Sequence, residues 1–238
     1  MKYSLSEKYN TPQFNIRMMG PNPIKLEEEL LHGNRIPQGA IVMDLGSGQG
    51  VTSVFLVREY GFRVYATDLW TDPSVNLRFF EEAGISREQL IPIHADANEL
   101  PYAHEFFDAI VSTDSYHYFG RDPAFLGEKL LPYVRHGGYI YIAIPGMKRD
   151  CHENLPEEML LSWTPEDLET IHDAAYWRRM VEQTDGAEVC KVCEMESMDE
   201  VWSDWLACDN EYARGDRKAM NAGAGKYLNF VKIVLRRK

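Results

Sequence analysis

One stretch constrains this chain more than any other: Ile41-Val42-Met43-Asp44-Leu45-Gly46-Ser47-Gly48-Gln49-Gly50. The apolar run over 40–43 is hydrophobic on both faces and reads as a short buried strand. The glycines then let the backbone turn sharply and come bare against a ligand, where a Cβ would collide. Residues 51–60 place their apolar side chains at helical spacing, so the loop feeds a helix N-terminus. A strand–glycine loop–helix unit of this kind holds a nucleotide-like cofactor. The dinucleotide fingerprint asks for glycine at its first, third and sixth positions, and the sixth here is Val51. Asp44, two residues before the first glycine, would repel a pyrophosphate and attract a ligand carrying an ammonium and a sulfonium. The competing reading is that Asp44 caps the turn and the glycines only make a bend.

A chain of 238 residues suits one generous α/β domain. Its formal charge of −12 argues against a nucleic-acid backbone as substrate and suits a small neutral or cationic one. The first residues lack the apolar core of a signal peptide, and no apolar run approaches membrane-spanning length, so a cytoplasmic protein without membrane contact is expected. Of the four cysteines, Cys190 and Cys193 have a suggestive spacing. They lie in a strand-like alternation that turns the two thiols to opposite faces, with no second pair to complete a metal site. Buried, reduced thiols and no metal are expected.

Strands are expected at 62–67, 90–95, 109–112, 139–144, 187–195 and 228–235, and helices at 24–32, 75–83, 123–131 and 199–212. Pro92 should make the 90–95 strand short or place it near an edge. The unbroken apolar run at 139–144 predicts a central parallel strand, and Gly137-Gly138 a turn before it. Strands alternating with helices imply right-handed crossovers and a mostly parallel sheet.

In such a sheet the ligand lies outside the carboxyl ends of the strands, so the residues there matter most. They are Asp44 with the glycines, then Asp68, then Asp96 in His94-Ala95-Asp96-Ala97-Asn98-Glu99-Leu100-Pro101-Tyr102, then Thr113-Asp114. Asp44 to Gly50 match D/E-x-G-x-G-x-G, motif I of the class I S-adenosylmethionine-dependent methyltransferases, position for position. The Asp-Ala-x-x-Leu-Pro-aromatic segment resembles the adenine-holding stretch of small-molecule members, and Phe106-Phe107-Asp108-Ala109-Ile110 resembles the entry to their fourth strand. The resemblance runs from about 38 to 148 and is closest to the ubiquinone/sarcosine-like group. It implies a doubly wound, Rossmann-like sheet of seven strands, mostly parallel with the last antiparallel. It also implies S-adenosylmethionine as cofactor and S-adenosylhomocysteine as product. On it, Asp44, Gly46, Ser47, Gly48, Gly50, Asp68, Leu69, Asp96, Ala97 and Thr113 would bind the cofactor. Asp68 would accept both ribose hydroxyls, and Asp96 would take the adenine amine. Asp108, at a strand's start, reads as structural.

Methyl transfer from a sulfonium needs the nucleophile held in line and water excluded, with a base to take a proton. Ser112-Thr113-Asp114-Ser115-Tyr116-His117 partly resembles the S-x-D-x-x-H of methyltransferases acting on sarcosine-like amines and phosphoethanolamine. That implies catalytic roles for Asp114, Tyr116 and His117, with His117 as base, although a plain structural histidine is the equal alternative. The aromatics Tyr116, Tyr118, Phe119, Trp163, Trp177, Trp202 and Trp205 could cage a methylated ammonium, or simply pack a core. The expected organisation is a single domain over 1–238. It comprises a cap and substrate region at 1–37, a cofactor-binding core at 38–148, a lid with helical insertions at 149–225 and a last strand at 226–238. Trp163 belongs to the lid, and Tyr9 with Met18-Met19-Gly20 could close the pocket from the other side. The reaction expected is methyl transfer to nitrogen or oxygen of a small molecule, by a monomer or homodimer. The alternatives are a nucleic-acid methyltransferase, an NAD-dependent oxidoreductase and a cofactor-binding regulator without turnover.

Overall fold

A computed structural model describes residues 3–238. Its centre is a seven-stranded sheet in the order β3-β2-β1-β4-β5-β7-β6. The strands are β1 (Ile41–Leu45), β2 (Arg63–Asp68), β3 (Leu90–His94), β4 (Phe107–Thr113), β5 (Val134–Met147), β6 (Ala187–Glu194) and β7 (Leu228–Arg237). β3, β2, β1, β4 and β5 run parallel, while β7 is antiparallel to both β5 and β6. The helices are α1 (Pro12–Asn15), α2 (Pro23–Leu30), α3 (Val51–Tyr60), α4 (Pro73–Glu82), α5 (Pro165–Leu168), α6 (Ala174–Val181), α7 (Met198–Ala207) and α8 (Glu211–Asn221). No described helix is long and apolar enough to cross a membrane.

The sheet buries both faces because its strands alternate between two apolar layers. Val42, Val111, Tyr141 and Ala143 face one core with Leu26 and Leu30 of α2, Val54 and Phe55 of α3, and Trp205 of α7. Met43, Leu45, Ile110, Ile140 and Ile142 face the other, with Trp177 and Val181 of α6. Strand order reverses between β1 and β4, which puts their carboxyl ends side by side at the switch point.

Several local expectations change. The 123–131 helix is instead a π-helix over Leu126–Leu130 followed by a tight turn at Leu131–Tyr133. Pro132 has no N–H to offer the carbonyl four residues back, so regular α-helical bonding cannot run through it. Gly137-Gly138 lie inside β5 rather than before it, where the register against β4 slips between Phe107 and Ala109. The helical stretch after residue 199 is two helices, because the Asn210 side chain caps a new start by accepting from Tyr212 N. The 149–225 stretch contributes β6 to the sheet itself. Cys208 is buried, but Cys190 is exposed and Cys193 half-buried, since β6 is an edge strand.

Two buried tryptophans separate packing from hydrogen bonding. Trp177 has no partner for its Nε1, whereas Trp205 Nε1 donates to Asp216 Oδ2 at 2.8 Å. Trp205→Phe strands a carboxylate oxygen; Trp177→Phe strands nothing. Urea unfolding should show Trp205→Phe more destabilising than Trp177→Phe by about 1–3 kcal/mol.

Candidate active site

Asp44, at the end of β1, is 1 % exposed. Thr52 Oγ1 and Ser53 Oγ, in the first turn of α3, donate to its Oδ2 at 2.7 and 2.6 Å, while Oδ1 has no partner. Burial pushes its carboxyl up to about 6 against those two bonds. Glu27 of α2 is fully buried nearby with both oxygens unpartnered. Burial, with the charge of Asp44, pushes its carboxyl well above the ordinary carboxylate range. It belongs to this electrostatic set, although its place among the leucines of a short helix gave no sign of that.

Beyond Asp44, Gly46 has φ +76°, and a Cβ there would fall 2.2 Å from Ser115 Oγ. Its amide and that of Ser47 both donate to Thr67 O, tying the loop to β2. Gly50, at φ +80°, turns the chain into α3 with the Phe80 ring against it. Ser47 Oγ is buried and unpartnered.

Asp68 ends β2 and accepts three backbone N–H bonds: Gly48 N into Oδ2 at 2.9 Å, and Trp70 N and Thr71 N into Oδ1 at 2.8 and 2.7 Å. A carboxylate has about four acceptor positions, so Asp68 has room for about one further hydroxyl rather than two. Its first work is to hold the glycine loop at the sheet. After β3, Asp96 Oδ1 accepts from Asn98 N and Nδ2 at 2.8 and 2.9 Å, which holds its carboxyl below the ordinary range. Asp96 Oδ2 makes no bond among the described residues, and Ala97 lies beside it in the cleft.

After β4, Thr113 Oγ1 is buried near the Glu27 carboxyl, close enough to favour its charged form but without a hydrogen bond of good geometry. Asp114 follows at φ +58°, a strained conformation for a residue with a side chain. Among the described residues its carboxylate makes no hydrogen bond or ion pair. Burial, with the nearby charge of Asp216, pushes it up to about 7. Ser115 Oγ donates to Leu45 O at 2.8 Å and lies 2.8 Å from Ser112 Oγ, so the loop after β4 is sewn to the end of β1.

Tyr116 and His117 stand elsewhere. Tyr116 packs against Phe119, Phe125 and Trp177 in the second core. His117 is 2 % exposed, with Nδ1 unpartnered, and burial together with Arg121 pushes it down to about 3. Neither Tyr116 nor His117 lines the cleft described below. The helical turn over Tyr116–Tyr118 buries both side chains and sends Tyr118 outward. Trp163 also lies off the cleft: its Nε1 donates to Asp216 Oδ1 at 2.8 Å, opposite the Trp205 bond, and its ring meets Trp202 edge-on. Tyr9 is in the core beside Phe14 and Phe55.

What remains is a cleft of about 310 Å³ at the switch point. Gly46, Ser47, Gly48, Asp68, Leu69, Asp96, Ala97, Thr113 and Asp114 line it, whereas Asp44 and Gly50 support it from beneath. Met19 and Gly20 line it from the N-terminal side, as does Arg17, whose guanidinium lies over the Phe79 ring. Trp70 and Tyr118, 68 % and 55 % exposed, meet edge-on at its mouth with Met19 and Leu69. The signal for Trp70 was present in Asp68-Leu69-Trp70: two large apolar residues outside the end of a buried strand have no core to enter. Nothing local marked Arg17, whereas Tyr118 was among the aromatics that the sequence offered for a cage.

The model of the methyltransferase domain family matches residues 43–142, which span β1 to β5 and every cleft acid. This segment is a methyltransferase domain. Its cofactor is S-adenosylmethionine. No curated protein matches the chain in sequence. Among solved structures, the chain is similar to phosphoethanolamine N-methyltransferase 2 of Haemonchus contortus, at 15 % identity and TM-score 0.71, covering all of this chain and 60 % of that one. It is similar to the geranyl diphosphate C-methyltransferase of Streptomyces coelicolor A3(2), at 14 % identity and TM-score 0.68, over 90 % of this chain and 75 % of that one. It is also similar to the [4+2]-cyclase SpnF, at 14 % identity and TM-score 0.71, over 99 % and 93 %. At these identities the likeness is one of fold, and the fold serves a cyclase as well as methyltransferases.

The methyltransferase domain offers a direct test of the loop. Gly46→Ala places a methyl group on Ser115, whereas Gly84→Ala, at a similar φ of +71°, meets nothing within 4 Å. Calorimetry should show S-adenosylmethionine binding weakened at least tenfold in the first variant and unchanged in the second, with both folded by circular dichroism.

Proposed function

We propose that this chain transfers the methyl group of S-adenosylmethionine to nitrogen or oxygen of a small molecule, with an amine the first candidate. The carrying observation is Asp114: a cleft-lining carboxyl, free of hydrogen bonds among the described residues, that exchanges its proton near neutrality. An ammonium or hydroxyl nucleophile must lose a proton to react, and a base matched to working pH is best placed to take it. When bound, S-adenosylmethionine supplies an activated methyl group and leaves as the neutral thioether.

The residues present suit that cofactor. Gly46 and Gly48 leave a cradle that side chains would fill, and Asp44 Oδ1, Ser47 Oγ and Thr113 Oγ1 are buried polar atoms without partners beside it. Asp44 would attract the ammonium and sulfonium, Ser47, Gly48 and Thr113 the methionine part, and Asp68 a ribose hydroxyl. Asp96 Oδ2 would take the adenine amine, with Leu69 and Ala97 against the ring. Asp114 would orient and deprotonate the nucleophile. The apolar mouth at Met19, Leu69, Trp70 and Tyr118 favours a substrate with a hydrophobic portion, and the charge of −12 disfavours a nucleic acid.

Titration with S-adenosylmethionine, S-adenosylhomocysteine and NAD tests the cofactor assignment. Micromolar binding of the first two, lost in Asp68→Ala, is expected; NAD binding without them would overturn it. Once an amine or hydroxyl substrate is found, Asp114→Asn should lower kcat by about 10²–10⁴-fold with cofactor affinity little changed. In the wild type kcat should rise with pH through about 7, because the Asp114 carboxyl is pushed up to that value and only its ionised form accepts a proton. A profile unchanged in Asp114→Asn would remove Asp114 from the role.

A further inference from the structure

Where β5 leaves the sheet, Asp150 stands between two histidines of the following segment. His152 Nδ1 lies 2.7 Å from Asp150 Oδ1, and His172 Nδ1 lies 3.0 Å from Oδ2. The two imidazole centroids are 4.6 Å apart, and one ligand atom from each of the three residues falls within 4.8 Å of the other two. None of the three lines the cofactor cleft.

The hydrogen bonding of His152 carries the argument. Its Nε2 faces Leu168 O at 3.0 Å, and a carbonyl only accepts. Its Nδ1 faces a carboxylate, which when ionised also only accepts. A neutral imidazole has one N–H and cannot serve acceptors on both sides. The position therefore calls for a cation at Nδ1, either a second proton or a metal ion. A proton would serve one ring and one oxygen. The second imidazole, aimed at the same carboxylate, completes a set of two nitrogens and one carboxylate, which is a transition-metal donor set. A backbone carbonyl holding the far N–H of a ligating histidine is also how metal-bound imidazoles are oriented.

We propose that Asp150, His152 and His172 bind a divalent transition-metal ion of the zinc class. The pairs now 2.7 and 3.0 Å apart must open by about half an ångström to surround a tetrahedral ion at ~2.0–2.1 Å. All three side chains are partly exposed, so they can do so and leave a position for water. The segment between the ligands carries Trp163, and its stems already meet through Met147 N to His172 O at 3.3 Å and Asp150 N to Asp173 Oδ2 at 3.4 Å. The ion fastens that base.

The test uses chelator-treated full-length protein with Cys190→Ser, so that the exposed thiol cannot bind the probe. Zn²⁺ is titrated against a chromophoric chelator, and histidine ring resonances are followed by NMR. One ion per chain at micromolar affinity or tighter, with the His152 and His172 resonances shifting together, is the expected result. Asp150→Asn and His172→Ala should each weaken binding about 10–100-fold, and Zn²⁺ should raise the melting midpoint of the unsubstituted site only. If His152 keeps both ring protons in stoichiometric Zn²⁺, or no ion binds below millimolar concentration, the cluster holds a proton and the proposal fails. Both readings come from the unsubstituted site and do not depend on the variants folding.

Discussion

The cleft exists because two loops can touch. Leu45 O receives the Ser115 hydroxyl, and Gly46 lies so close to that side chain that no other residue fits. This seam joins the exits of β1 and β4, the two strands between which the sheet reverses direction. With it closed, Asp44, Asp68 and Asp114 are brought around one small volume, and the amides of Gly46, Ser47 and Gly48 tie the loop to Thr67 O and the Asp68 carboxylate. Asp68 shows the same economy: its carboxylate is mostly occupied in fixing backbone before any cofactor arrives.

Concentrating acids in a half-buried space costs stability unless protons or cations offset it. In this chain burial favours the protonated forms. Glu27, Asp44 and Asp114 are all pushed toward neutrality by burial. Asp44 and Thr113 leave unpartnered polar atoms at the same place. A cationic ligand would satisfy groups that the folded protein alone leaves unsatisfied, which is why the site favours a charged cofactor over an apolar one.

The sheet was legible wherever a strand is buried on both faces or feeds a glycine turn. β1, the loop, α3 and the edge position of β3 all followed from local pattern, as did the acids at the strand ends. Legibility failed where a residue's role depends on rotation about the chain. Asp114, Tyr116 and His117 are nearly adjacent in sequence, yet one tight turn sends the first into the cleft and the other two into the core. A motif records spacing, and spacing does not say which way a short turn faces. Arg17 was invisible for another reason: it reaches the cleft only because the N-terminal segment folds over it. The split between α7 and α8 was readable from Asn210 but outweighed by the apolar run before it.

Asp216 ties these layers together. Its two oxygens are each held by an indole, one from the segment after β5 and one from α7, and its charge reaches Asp114. The proton affinity of the cleft is thus partly written in tryptophan packing some distance from it. Any motion that carries Trp163 outward and takes Asp216 with it would make Asp114 a stronger acid. Part of the proton affinity at the cleft is thus set by a carboxylate that two indoles outside it hold in place.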